Sequence, residues 1–318
     1  MKLTSQPLVS VVTPVYNTEA YLTECIESVL SQTYDNWDYV IVNNCSTDRS
    51  LEIAQSFAQK DQRIRIHNNK EFLGLMQNQN NALRQISSES KYCKVVHADD
   101  WLFPECLARM VEVAETNPSV GIVGSYRLDE NWVNLDGLPY PSPLVAGREV
   151  CRSNLLNDSR YYLFGSLTSL LICSEIIRSR QAFLNESHIH GDKEACLEVL
   201  QDSDFGFVHQ VLTYTRRHNE SASSYARRFH THILGDLIIL KKYGPVYLSN
   251  EEYETAFRRL YKTYYRKLGM NLLKFREKEF WAYHKDELAK LGHSLNVPRL
   301  CASAFIVLYN RLLTKLKL

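Results

Sequence analysis

Val95-Val96-His97-Ala98-Asp99-Asp100 is a short apolar strand that runs directly into two adjacent carboxylates. Charges at the end of a buried strand are costly unless they meet water, a cation or a partner. Carboxylate oxygens are the hard ligands that Mg²⁺ and Mn²⁺ prefer. Such an edge suits a metal that holds a phosphorylated ligand. The plainer reading is that both Asp residues cap the next helix, and the flanking sequence weighs between the two.

Upstream, Leu8-Val9-Ser10-Val11-Val12 predicts a buried strand that stops at Pro14, with Asn17 and Thr18 placed to cap a helix. Leu22, Ile26 and Val29 fall on one face of that helix. Tyr39 to Val42 predicts a second strand ending at Asn43-Asn44, and Ser46 and Asp48 can cap a second helix. Arg63 to Ile66 is a short third strand, residues 75–87 a helix, and Tyr92 to Val96 a fourth strand. Pro104 suits the first turn of a helix through Leu107, Val111 and Ala114, and Val120 to Val123 a fifth strand.

Strands alternating with helices give an α/β fold, a mostly parallel sheet with helices on both faces. Ligands of such sheets bind beyond the carboxyl ends of the strands. Tyr16-Asn17, Asn43-Asn44 and Asp99-Asp100 all lie just past such ends. Three polar sites on one edge favour a binding site over unrelated caps.

Residues 126–165 read as irregular, with Pro139, Pro141 and Pro143, and have the character of a substrate loop. Leu167 to Cys173 predicts a strand returning to the sheet, Asp192 to Leu200 a helix, and Phe205 to Thr215 an extended segment. From about 226 the pattern is helical to the end. Two regions are therefore expected, an α/β domain over 1–225 and a helical one over 226–318.

The 318 residues carry a formal net charge of +1, unevenly spread. Residues 226–318 hold 18 Lys+Arg against 8 Asp+Glu, a net of +10, and the rest hold 19 against 28, a net of −9. An acidic front half argues against nucleic acid as a partner. A basic back half suits an anionic membrane surface or an acidic acceptor. Eight cysteines show no CxxC pair and no metal-ligand spacing, which fits reduced thiols in the cytoplasm. No apolar signal stretch and no apolar run long enough to span a bilayer is seen.

Four motifs in order carry a resemblance: Val9-Ser10-Val11-Val12-Thr13-Pro14-Val15-Tyr16-Asn17, Ser28-Val29-Leu30-Ser31-Gln32-Thr33-Tyr34, Asn43-Asn44-Cys45-Ser46-Thr47-Asp48 and Ala98-Asp99-Asp100. Together they resemble family 2 glycosyltransferases of the GT-A fold, well over residues 8–125 and weakly to about 224. The resemblance implies inverting transfer of a sugar from a nucleoside-diphosphate donor to an acceptor hydroxyl, with a divalent metal, Mn²⁺ or Mg²⁺. By the same resemblance, Tyr16 stacks on the donor base, Pro14 lines that pocket, and Asn44 stands where an Asp often accepts a base N–H. His97 stands where the first carboxylate of an Asp-X-Asp motif is common and is expected to bind the donor through its ribose or to tune Asp99, or else is a satisfied histidine of the sheet; Asp99 is then the main metal candidate and Asp100 an orienting or water-mediated one. Asn80 falls where an Asn supports the diphosphate pocket. Asp192 is the expected general base, with Glu194 second and His190 assisting. Arg216-Arg217-His218 resembles a segment that closes over the phosphates, with Arg217 as clamp and His218 as a metal ligand.

The tyrosine-rich stripe of Tyr261, Tyr264, Tyr265, Leu268, Leu272 and Leu273 predicts core or partner contact. The last segment, Leu300 to Leu318, is apolar around Ala304 to Tyr309 and then basic at Arg311, Lys315 and Lys317. It suits an interfacial helix at the inner face of a membrane, a buried helix or a homodimer contact. A membrane-side enzyme would fit a lipid-linked or saccharide acceptor in cell-surface polysaccharide assembly. Two other functions stay open: a nucleotidyltransferase, which lacks its usual N-terminal Gly-rich loop here, and a degenerate domain that binds membrane or partners.

Overall fold

Alternation of apolar side chains along the first strands fixes the sheet. In the computed structural model, which describes residues 6–134, 137–158, 161, 166–217, 226 and 228–316, β1 is Val9–Val15 and β2 is Trp37–Asn43. Val9, Val11 and Val15 share a core with Tyr39 and Ile41, while Val12, Val40 and Val42 alternate to the other face. Onto the first face pack Leu22, Ile26 and Val29 of α1 (Leu22–Leu30) and Leu107, Met110 and Val111 of α4 (Cys106–Thr116). Between these come α2 (Ser50–Ala58), β3 (Ile64–Asn68), α3 (Leu75–Leu83), β4 (Tyr92–Val95) and β5 (Trp101–Leu102).

The later part of this unit holds β6 (Val120–Asp129), β7 (Trp132–Asn134), β8 (Leu144–Val145) and α5 (Gly147–Leu156). A 3₁₀ turn at Leu167–Ser169 leads into β9 (Leu170–Cys173), then α6 (Ser174–Arg178), α7 (Gly191–Val199) and β10 (Asp204–Thr215). The sheet order is β3-β2-β1-β4-β9-β6-β10-β5, with β7 on β6 and β8 on β10. The ladders β1/β2, β2/β3, β1/β4 and β6/β10 are parallel, and β9 is antiparallel to both β4 and β6. Insertion of β9 beside β4 brings the 167–169 turn to the end of β4.

The structure corrects three local expectations. The first strand runs through Pro14 to Val15, because β4 ends at Val95 opposite Val12. Beyond that point β1 pairs only with β2, and a missing N–H costs nothing on the open side. Asn17 does not cap α1; it sits at φ 50° and its Oδ1 accepts the Thr47 N–H at 2.8 Å, joining two loops instead. Within residues 126–165, described parts are regular: β6 continues to Asp129, and β7, β8 and α5 follow.

The chain divides into two compact units, 1–217 and 218–318. The second contains α8 (Thr231–Tyr247), α9 (Asn250–Leu272), α10 (Lys278–Lys290) and α11 (Val297–Leu316). Ser249 and Glu252 close a reciprocal capping box at the start of α9. Tyr264, Tyr265 and Leu268 join Leu234, Leu237 and Phe280 in its core, so the tyrosine stripe is packing. On α11, Leu300, Ala304 and Val307 are buried, whereas Phe305, Ile306, Leu308, Tyr309, Leu312 and Leu313 are exposed along one face. Among the described residues no helix is long and apolar enough to cross a membrane. All eight cysteines are free thiols.

Candidate active site

Parallel register sets the ends of β1 and β2 side by side. Val15 stands opposite Asn43, and the Asn44 N–H donates to the Val15 carbonyl at 2.8 Å. Tyr16 emerges here with 46 % exposure, beside Phe72 with 59 %. Their rings meet edge-to-face at 4.8 Å between centroids. An exposed aromatic pair at a sheet edge is a stacking platform for a flat ligand. Phe72 was not singled out in the sequence; its signal is an apolar residue in the polar run Lys70-Glu71-Phe72.

Asn44 is buried and holds the Phe72 loop. Its Nδ2 donates to the Leu73 carbonyl at 2.9 Å, and its Oδ1 accepts from the Leu73 N–H at 2.9 Å and from Asn69 Nδ2 at 2.8 Å. Both acceptor positions of the amide oxygen are used. In this arrangement Asn44 supports the loop that carries the neighbouring aromatic. Asp48, beyond it, accepts the Ser50 N–H at 3.0 Å and the Glu19 N–H at 2.9 Å. Burial pushes its carboxyl up, but these hydrogen bonds outweigh that and leave its pKa below the ordinary value. It is a structural tie.

The two carboxylates after β4 divide their work. Asp100 is only 3 % exposed. Its Oδ2 accepts the Thr168 hydroxyl at 2.7 Å, its Oδ1 accepts the Arg216 N–H at 3.0 Å, and His97 Nδ1 lies 3.7 Å away. These contacts tie Asp100 to the turn before β9 and to the residue that follows β10. Asp99 is half-buried, and its carbonyl accepts from Arg216 Nε at 3.1 Å. His97 keeps 26 % of its side chain exposed, with Gln79 Nε2 3.5 Å from its Nε2. Burial pulls its pKa down, yet Asp100, Asp99 and Asp192 together hold it above the ordinary value. That effect places Asp99 and Asp192 within electrostatic reach of one imidazole.

Asp192 lies in the first turn of α7, and its Oδ1 accepts the Lys193 N–H at 2.7 Å. The helix start is pinned against residues 184–186. A Cβ on Gly191 would come within 2.6 Å of the Asn185 carbonyl, so only glycine fits. Asn80, buried on α3, clamps the same segment: its Nδ2 donates to the Leu184 carbonyl and to Glu186 Oε1, both at 2.8 Å, and its Oδ1 accepts the Leu184 N–H. Glu194 is buried and accepts from Asn185 Nδ2 at 2.8 Å, with His188 Nε2 at the same distance. Asn80 and Glu194 are thus anchors of the segment that carries Asp192. His190 caps α7 beside Gly191, its N–H donating to His188 Nδ1 at 3.2 Å.

Past the end of β10 two adjacent arginines make different contacts. Arg217 forms a bidentate ion pair with Asp129, at 2.7 and 2.6 Å, which raises its pKa. Arg216 is the one that meets the Asp-Asp loop, with Glu24 at 2.6 Å and the Tyr21, Trp101 and Tyr214 rings beneath it. Trp101 and Tyr214 stack at 3.5 Å. His218 lies outside the described residues.

Among the described residues no three His, Cys, Asp or Glu side chains converge to hold a metal unaided. The donor set at Asp99 nonetheless fits a hard cation. Mg²⁺-like ions are commonly held by one or two carboxylates, with water and substrate phosphate completing the shell.

The family model described as "Glycosyl transferase family 2" matches residues 10–183. The chain belongs to that family. Glycosyltransferase GlyG of Streptococcus pneumoniae is 28 % identical over 226 residues, covering 67 % of this chain and 72 % of its own. S. aureus TarS in complex with UDP-GlcNAc superposes with a TM-score of 0.66 at 17 % identity, over 89 % of this chain and 80 % of its own. A mannosyltransferase of Pyrobaculum calidifontis, with GDP-Man and Mn²⁺, gives 0.57 at 14 %, over 96 % and 88 %. These likenesses establish the GT-A fold.

Stacking on the aromatic pair makes a direct prediction. Tyr16→Ala and Phe72→Ala should each weaken nucleoside diphosphate binding by about 1–3 kcal/mol, read by calorimetry. Unchanged binding in both would place the base elsewhere.

Proposed function

We propose that this glycosyltransferase moves a sugar from a nucleoside diphosphate to an acceptor hydroxyl, with inversion and a divalent metal, in cell-surface polysaccharide assembly. The observation that supports the reading is His97, whose imidazole feels both Asp99 after β4 and Asp192 in the first turn of α7, with exposed Tyr16 just past the end of the neighbouring β1. Tyr16, Phe72 and Pro14 would flank the base. Asp99 would hold the metal, whose chemistry is to neutralise charge on the leaving diphosphate.

Asp192 would take the proton from the acceptor hydroxyl. The acceptor oxygen then bonds to the anomeric carbon as the bond from that carbon to the diphosphate oxygen breaks. The electron pair leaves with the nucleoside diphosphate. His97, held near Asp99 and Asp192, would orient rather than transfer. Asp192→Asn should lower kcat on the order of 100-fold or more while donor affinity, read by calorimetry, is kept. Equal loss of both would make Asp192 a structural residue of α7.

For the acceptor side, the exposed apolar face of α11 and the net charge of +10 over residues 226–318 support docking on anionic lipid. A lipid-linked saccharide would be reached from such a surface. The full chain should sediment with vesicles containing phosphatidylserine and not with phosphatidylcholine alone, and Phe305→Ser with Ile306→Ser should release it. A concentration-dependent dimer abolished by the same changes, without vesicle binding, would assign the face to a second copy.

A further inference from the structure

Lys94 is a fully buried lysine in the middle of β4. Taking an amine out of water is expensive unless a partner compensates it. Burial pushes its pKa below the ordinary lysine value. Its sulfur neighbours, Met110 Sδ at 3.5 Å and the nearby Cys106, are weak acceptors. The strong acceptor in reach is the Thr168 carbonyl, 2.6 Å from Nζ.

Thr168 is itself fully buried and works from both ends. Its hydroxyl donates to Asp100 Oδ2 at 2.7 Å and accepts the His97 N–H at 3.1 Å. His97 and Asp100 follow Lys94 on the same segment of chain. The contacts therefore close a ring: Lys94 on the strand, Thr168 on the turn before β9, and the Asp-Asp loop back to the strand. A hydroxyl that must bond two groups of one loop needs its backbone fixed, and the Lys94 bond fixes it. Without that bond the Thr168 carbonyl becomes a buried orphan and the turn has reason to move.

We infer that Lys94 is a positioning residue that sets Asp99 for its ligand through Thr168 and Asp100. This rests on the reading of Asp99 as the metal carboxylate. Residues that orient a metal ligand without touching the ion act on metal affinity as well as on rate. Methionine resembles lysine's unbranched stem and suits the Met110 side of the site, so Lys94→Met removes the donor with little change of volume.

The test measures Mn²⁺ bound in the presence of UDP or GDP by electron paramagnetic resonance, donor kcat and KM, and thermal unfolding. Lys94→Met and Thr168→Val should each weaken Mn²⁺ binding on the order of 10- to 100-fold. Both should lower kcat with donor KM changed much less. Thr168→Ser, which keeps the hydroxyl, should restore both. The double variant should be no worse than the more impaired single one, because the two residues act in series. Lys94→Met that melts earlier yet binds Mn²⁺ and turns over like the parent would overturn the inference. If Lys94→Met does not fold, the shorter Lys94→Gln stands in for it, and parent-like Mn²⁺ binding in either Lys94→Gln or Thr168→Val overturns the inference. Asp99→Asn separates the two claims. Intact Mn²⁺ binding in Asp99→Asn defeats the metal reading itself, whereas its loss beside an unaffected Lys94→Met defeats only the role of Lys94.

Discussion

A carboxylate buried at the end of a central strand has to be paid for, and Asp100 is the point on which this active edge depends. Two groups distant in sequence meet it, the Thr168 hydroxyl and the Arg216 N–H, and the His97 ring of its own loop lies beside it. Each contact compensates the desolvated charge, and each also brings a segment to the site. The turn before β9, which pairs with β4, supplies Thr168, and Arg216 directly follows β10. Asp99, one residue earlier, is half-buried.

The same division recurs around the edge. Asn44 gives its amide to Leu73 and so presents Phe72; Asn80 gives its amide to Leu184 and so presents α7. Buried amides that satisfy a backbone N–H and C=O together behave as an inserted piece of main chain, which fixes a loop without regular structure. The more exposed groups, Tyr16, Phe72, Asp99 and Asp192, are then held by polar groups that do no chemistry themselves. Glu194, tied to Asn185 and His188, belongs to the second class.

Much of the fold was legible because its signals are local. Apolar runs at 8–12, 39–42 and 92–96 and the helical faces between them require no partner to be recognised, and the motifs at their ends marked the edge. The division of labour was not legible. Asp99 and Asp100 are told apart by what reaches them from residues 168 and 216, and Arg216 and Arg217 by the distant acids beside each, Glu24 for one and Asp129 for the other. Asn44, Asn80 and Glu194 are polar residues at motif positions, and nothing local says that Leu73, Leu184 and Asn185 will consume them. Residues 126–165 read as irregular because prolines and short strands hide the continuation of β6. Lys94 was visible as a charge inside an apolar strand, but its partner lies 74 residues away.

The measurement that bears most directly on this account is release of nucleoside diphosphate from a panel of nucleotide sugars with Mn²⁺, comparing the parent chain with Asp99→Asn. The account predicts metal-dependent release from at least one donor, lost in Asp99→Asn while the folded state is kept. Release that persists undiminished in Asp99→Asn, or that ignores the removal of metal by a chelator, would contradict it.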